Sequence, residues 1–501
     1  MDKEGSVLSR KMPIFYSALL LTGVNLLLRF VGTSFQVYLS GRIGAEGIGL
    51  LQLTMSVGSM AMVAGMAGIR TTTMYLTAEE IGTGHKQNLS HVLSACLRYS
   101  ILCSTVVGVC VYCFAPFIAE KWIGNKDVLD ALRLFAVFLP ISCLSGVMSG
   151  YFTGANRIGT LAAVEVAEQL FSMLCTIILL GLWAGHDPGR SCQSVVLGGC
   201  MGACLTLICL IILRMLERAN TDARTPMARR LANTAIPLAI ADDLRTGIST
   251  VENLIVPKRL ALYPATQSAL GDFGTISGMV FPILMFPTAI LFGLAELLIP
   301  ELARCRAAGS QRRIHYLVTK SLRVALLYGC ICGGILYLSA GSLSIKLYNN
   351  EDAGRYLKWF SLLAVMLYCD LITDAMIKGL GEQKASVRYN IITNCMDVVL
   401  LFLLLPIFGI RGYFCSFLIT HVINFILSLR RLLLISKVKI PLRIPLLSLI
   451  CMILALMIAS MVFKPILRAA VFVIILLCLL VLCGIVSRKD VRWLKGLVYK
   501  K

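Results

Sequence analysis

Six apolar stretches of this chain carry polar residues at helical spacing, and those residues are where chemistry can reside. Asn25, Arg29 and Gln36 are separated by four and seven positions, which puts them on one helix face. Asp242, Arg245 and Glu252 share a face in the same way, with Asp243 beside them. Glu165, Glu168 and Gln169 mark a third stretch, and Asp370, Asp374 and Lys378 a fourth. Asn390, Asn394 and Asp397 mark the fifth, and Thr420, His421 and Asn424 the sixth. An ionisable group inside an apolar helix is costly unless it faces a cavity or a partner. Arg29 has no acid on its own stretch. Its guanidinium is permanently charged and grips phosphate or carboxylate with two parallel hydrogen bonds. Arg29 and Arg245 therefore suit an anionic headgroup such as the pyrophosphate of a lipid-linked sugar. Asn25, Gln36 and Glu252 line the same faces, and Asp242, Asn394 and Asp397 offer a place for a coupling Na+ or H+. Structural roles compete for some of these groups. Asp242 and Arg245 can neutralise one another at i, i+3, Asp370, Asp374 and Lys378 can form an ion-pair ladder, and His421 suits a packing position.

The elements that must position these residues follow from composition. The chain has 501 residues, of which 58% are hydrophobic and 15% charged. A soluble domain carries about 25% charged residues. Mean hydropathy is +0.83. Continuous apolar runs exclude an alternating β-barrel pattern. Fourteen helical spans of about 21 residues need roughly 300 residues and leave no room for a large soluble domain. The expected fold is an all-α polytopic membrane protein. Its spans are read near 13–39, 45–68, 92–118, 128–150, 158–184, 194–216, 232–256, 271–298, 318–345, 354–377, 385–408, 411–435, 444–463 and 466–486.

Net charge is +21. Lys and Arg gather at both ends and on the loops after even-numbered spans, more than twice as many as on the other loops. The positive-inside rule then places both termini in the cytoplasm of a multi-pass cell-membrane protein, and nucleic acid is not needed to explain the charge. Residues 70–88 and 300–319 are long enough for surface-lying helices. The 19 cysteines sit mostly inside apolar runs. Cys110 and Cys113 lack nearby His or Cys partners, so no metal site or cofactor is expected. Neither a phosphate-binding GxxxxGK[ST] motif nor a long outer loop for catalysis is present, so the chain is not expected to be an enzyme.

A faint repeat is visible. Gly154-Ala-Asn156-Arg157 after span 4 and Gly381-Glu-Gln383-Lys384 after span 10 each place a Gly, an amide and a basic residue in a turn. This divides the chain into an N-terminal lobe, residues 1–222, a C-terminal lobe, 223–440, and an added pair of helices with the tail, 441–501. Repeated six-helix halves are a transporter architecture.

The stretch Gly271-Asp-Phe-Gly274-Thr-Ile-Ser-Gly278-Met-Val-Phe-Pro282-Ile-Leu-Met-Phe-Pro287, followed by Glu296-Leu-Leu-Ile-Pro300-Glu301, resembles the span 8 signature of the stage V sporulation protein B family. That family lies in the multidrug/oligosaccharidyl-lipid/polysaccharide exporter superfamily. The resemblance covers essentially the whole chain. It implies a MATE-like fold and movement of an undecaprenyl-pyrophosphate-linked glycan from the inner to the outer leaflet, by a chain expected to act as a monomer. The alternative within the same fold is a cation-coupled drug or metabolite antiporter. Lipid II flippases carry R-x-x-G-x-x-R in span 1. Arg29-Phe-Val-Gly32 matches, and Phe35 stands where the second Arg falls. Relatives place a cation near an Asp on span 7 and an Asn/Asp pair on span 11, for which Asp242, Asn394 and Asp397 are the counterparts.

Overall fold

The computed structural model describes residues 5–83, 86–184, 187–216, 228–438, 441, 443–462 and 464–485. Among them every regular element is helical. They are α1 (Gly5–Met66), α2 (Ile69–Gly82), α3 (Leu89–Phe117), α4 (Leu129–Gly154), α5 (Ile158–Leu179), α6 (Pro188–Met215), α7 (Ala228–Leu260), α8 (Ala269–Thr275), α9 (Phe281–Met285), α10 (Thr288–Ala307), α11 (Gln311–Tyr348), α12 (Glu351–Ser361), α13 (Ala364–Gly379), α14 (Gln383–Phe408), α15 (Ile410–Ser436), α16 (Arg443–Ser460) and α17 (Pro465–Leu482). Many side chains that face outward from these helices are large and apolar. On α3, Leu102, Val106 and Val109 recur at helical spacing and are each more than half exposed, as a lipid-facing stripe requires.

By length and composition, nine described segments can cross a membrane, or eleven if each of two bent pairs is one span. The expectation of fourteen differs for physical reasons. The segment Leu26–Gly82 is 57 residues long, far more than one crossing. It turns at Gly44, whose φ of 71° and ψ of 178° suit glycine alone, so α1 is two limbs, 5–43 and 45–66. Charged residues on α7 remove it from the apolar set, and Leu467–Leu482 is shorter than a full span.

Two expected spans are broken. Ala269–Met285 and Thr288–Ala307 meet at 60°, beside Pro287, which removes a backbone donor. Glu351–Ser361 and Ala364–Gly379 meet at 56° without a proline. Of the surface helices expected at 70–88 and 300–319, the first coincides with the packed helix α2 and the second is not a separate element. α2 continues the second limb of α1 past a break at Ala67 and Gly68, both with positive φ, and it packs into α4. α10 runs through Pro300 to Ala307.

Contacts divide the chain into two units, Met1–Gly274 and Thr275–Lys501. In the first, α7 packs on α1 and α2, so packing places it with the helices before it. The division at 222 and 440 follows the repeat instead, a different criterion, and residue 222 lies outside the described residues. Gly274 of the span 8 signature sits against Gly49 and the Ala45 carbonyl, where a Cβ would come within 2.0 Å of that oxygen. In the second unit, α16 and α17 pack on α11, with Phe472 fully buried over Gly334.

Candidate functional site

Close glycine packing precedes both turns of the repeat, in a register two residues away from the one the sequence suggests. In the first, Gly150 and Gly154 near the end of α4 press on α2, where added Cβ atoms would lie 2.4 Å from the Arg70 carbonyl and 2.5 Å from that of Met74. In the second, Gly379 at the end of α13 presses on α10, 2.9 Å from the Ile299 carbonyl on the same basis. Asn156 and Gly381 both turn with positive φ immediately afterwards.

A second pairing recurs. Thr206 on α6 donates to Glu168 on α5 at 2.6 Å. In the second unit, Ser416 and Thr420 on α15 donate to Asp397 Oδ1 on α14 at 2.5 and 3.2 Å. Each is a hydroxyl on one long apolar helix satisfying a carboxylate on the preceding one, which lowers the cost of holding that acid among apolar side chains.

The surroundings of the two acids differ. Glu168 borders a cavity of about 290 Å³ within the first unit, lined also by Glu165, Arg70, Ser145, Ser149 and Met66. Arg70 and Glu165 form a loose pair at 3.9 Å. Asp397 is 6% exposed and closed in by α15, where His421 stacks on Phe417 and bonds its carbonyl at 2.9 Å. That is the packing role expected of this histidine.

The residues predicted from spacing fall as follows. Arg29 and Gln36 are half-buried on the first limb of α1 and both have bonded or electrostatic partners. The Asn25 side chain lies outside the described residues. Gly32, in the Arg29-Phe-Val-Gly32 match, meets the Gln169 amide, which donates to the Leu28 carbonyl at 3.3 Å. Phe35 stacks with Tyr38. Glu252 is half-buried and partnered. Asp242 and Arg245 are both exposed, and among the described residues no ion pair joins them, so the i, i+3 neutralisation is not formed. The neighbouring Asp243 is the more buried of the two acids, with an Oδ1 that has no described partner. Asn394 is half-buried on α14 one turn before Asp397. The ladder on α13 is partial. Lys378 pairs with Asp374 at 2.6 Å, while Asp370 accepts from Asn424 on α15 at 3.1 Å.

Three groups are not legible from spacing. Arg70 enters the cavity only because the chain breaks at Ala67 and Gly68. Glu80, 3% exposed, accepts from Arg230 at 2.8 Å and from Asn88 at 2.9 Å, and Arg230 also holds Glu79 at 2.9 Å. The Glu80 hydrogen bond and the charge of Glu79 raise the Arg230 guanidinium above its ordinary value. A donor–acceptor pair 150 positions apart leaves no periodic trace. Cys110 and Cys113 are free, and among the described residues no group of three or more metal-ligating side chains comes together.

Known proteins share this architecture. The MatE family matches residues 22–179. The chain is 23% identical to Stage V sporulation protein B of Bacillus subtilis (strain 168) over 416 residues, 80% of each protein. Its fold matches that of the lipid II flippase MurJ in an inward closed conformation with a TM-score of 0.68, over 92% of this chain and 98% of that one at 12% identity. It matches an inward-facing multidrug resistance MATE family transporter with a TM-score of 0.67, over 84% of this chain and all of that one at 15% identity. The likeness to stage V sporulation protein B and the superfamily fold expected from the span 8 signature are therefore borne out. The chain is an all-α, multi-pass membrane protein with the fold of the multidrug/oligosaccharidyl-lipid/polysaccharide exporter superfamily.

Proposed function

We propose that the protein is a flippase that moves an undecaprenyl-pyrophosphate-linked glycan from the inner to the outer leaflet of the cell membrane by alternating access. The observation that carries this reading is the polar cavity within the first unit, which brings Arg70, Glu165, Glu168 and serine hydroxyls together among apolar helices. Such a cavity can hold a charged, hydroxyl-rich headgroup while its isoprenoid tail stays in lipid. The named relatives support the substrate class, since one is a lipid II flippase and another a sporulation protein.

In this reading the protein transports and does not catalyse. Arg29 and Arg245 grip the pyrophosphate, and Asn25, Gln36 and Glu252 bond sugar hydroxyls from the same two helices. A Na+ or H+ enters at Asp397, where Ser416, Thr420 and Asn394 supply further oxygens. Hard, oxygen-rich sites suit Na+, and a carboxylate suits a proton. Asp242 belongs to the coupling path from α7. Both termini lie in the cytoplasm, and the working unit is a monomer.

A second reading has its own observation. Met55, Met62 and Met66 line the same cavity as Glu165 and Glu168, and a cavity of acids and thioethers also suits an organic cation. Reconstitution separates the two. A labelled undecaprenyl-pyrophosphate sugar should change leaflet only with protein present. Arg29→Ala or Arg245→Ala should slow it roughly ten- to a hundredfold, the loss of one charge-assisted contact of about 1.5–3 kcal/mol. Arg29→Lys keeps the charge without the fork and should be impaired too. Efflux of a lipophilic cation without flipping would favour the antiporter. Normal flipping by a well-folded Arg29→Ala protein would remove the clamp.

A further inference from the structure

One pocket is lined by none of the acids discussed above. At the C-terminal end of α11, the N-terminal end of α12 and the N-terminal end of α17, a cavity of about 430 Å³ opens within the second unit. Arg355 and Lys358 enter it from α12 and Arg468 from α17, with Ser342 and Tyr337 from α11 and Glu351 at its edge. Lys346 and Lys464 flank it in sequence. The segments 346–358 and 464–468 thus hold five cations against Glu351 and Asp352.

This is the wrong end for topology to explain. Arg312, Arg313, Lys320 and Arg323 begin α11, Arg430 and Arg431 end α15, and Arg443 begins α16. On α11 those cations occupy the end opposite the pocket, and the positive-inside rule accounts for them as it does for those of α15 and α16. A cluster at the other end needs another cause.

The cations are held in place. Lys358 lies over the Tyr337 ring, 5.0 Å from its centre. Arg468, which lines the pocket, donates from Nε to the Val462 carbonyl at 2.7 Å, and that bond fixes its guanidinium. Arg355 is partly offset by Asp352 at 3.3 Å. Leu338 and Ile345 line the pocket too, and Leu467, next to Arg468 in sequence, is exposed, so the cations adjoin apolar surface. That combination matches the boundary between headgroups and acyl chains.

We infer that this pocket binds the phosphodiester headgroup of an anionic phospholipid, with Lys358 and Arg468 on the phosphate and Glu351 accepting from a headgroup hydroxyl. By the charge rule the lipid is in the outer leaflet. The inference does not rest on the flippase reading, and its test reads binding rather than transport.

Trp359, next to Lys358, supplies the probe. The full chain with Trp122, Trp183 and Trp493 replaced by Phe is reconstituted in phosphatidylcholine vesicles, and brominated lipids are introduced to quench Trp359. Brominated phosphatidylglycerol should quench at a mole fraction at least threefold lower than brominated phosphatidylcholine. Lys358→Ala combined with Arg468→Ala should erase that preference, and Lys358→Arg with Arg468→Lys should retain it. Equal quenching by the two lipids, or by brominated phosphatidylethanolamine and phosphatidylglycerol, would overturn the anionic site. Displacement by millimolar inorganic phosphate would overturn the choice of a lipid over a free ion. Identical thermal melting of the alanine variant and its parent shows that a lost preference is not lost folding.

Discussion

In the first unit Thr206 on α6 donates to Glu168 on α5, and in the second Ser416 and Thr420 on α15 donate to Asp397 on α14. Glycines at the ends of α4 and α13 likewise press on α2 and α10. The scaffolds agree and the acids do not. Glu168 has a single hydroxyl donor and borders a cavity shared with Glu165 and Arg70, whereas Asp397 has two hydroxyl donors and is almost sealed. A roomy acid can meet a large hydrated ligand. In the proposed function the sealed one, with its surrounding oxygens, takes a proton or a single small cation. One fold repeated twice can thereby divide substrate contact from ion coupling.

The glycine contacts should give the largest effects, and the same effect in both units. Gly150→Leu or Gly379→Leu drives side-chain carbon into backbone carbonyls, which cannot move aside as a flexible side chain can. Overpacking costs about 1–3 kcal/mol even in tolerant cores. Both variants should lose most of their folded, monodisperse protein in detergent, while Gly199→Ala, with nothing within 4 Å of an added Cβ, should melt as the parent does. A Gly379→Leu protein that melts normally would break the packing half of the comparison.

The acids come next, and here the units should diverge. Asp397→Asn should lower the response of transport to an imposed Na+ or proton gradient at least tenfold, and Glu168→Gln should slow transport while leaving that response in place. Equal responses from the two variants would erase the division of labour.

Charged contacts at the helix ends offer a smaller contrast. Arg230→Ala leaves buried Glu80 with Asn88 as its remaining named donor and should cost about 1–3 kcal/mol, read as a lower melting temperature. In the second unit Arg431 pairs with Glu382 at 2.8 Å with both groups partly exposed, and Arg431→Ala should shift melting less. The smallest effect belongs to Thr206→Val, which removes one neutral donor beside an open cavity and should change transport by a fewfold at most.

Much of this architecture is legible in the amino-acid sequence. Long apolar runs set the class, and helical spacing finds Glu168, Asp397 and Thr420 as members of polar faces. The span 8 signature points to the superfamily. Which acid meets which hydroxyl is not legible, because spacing gives a residue's face on its own helix and not the neighbour that face meets. Asp242 and Arg245 illustrate the limit: their i, i+3 spacing allows a pair, yet both are exposed and no pair forms between them. Asp370 turns from its own helix to Asn424 for the same reason. Arg70 is hidden by a backbone break rather than by pattern. The two bent spans read as straight because hydropathy is blind to direction, although Pro287 marks one of them.

The most direct measurement follows a labelled undecaprenyl-pyrophosphate sugar across the leaflets of proteoliposomes, with and without an imposed Na+ or proton gradient, for the parent and Asp397→Asn. The account predicts protein-dependent flipping that one of the gradients accelerates severalfold, and an Asp397→Asn protein that is folded and insensitive to both. A lipid-linked sugar that never changes leaflet while the gradient drives a lipophilic cation, or an Asp397→Asn protein that responds as the parent does, would contradict it.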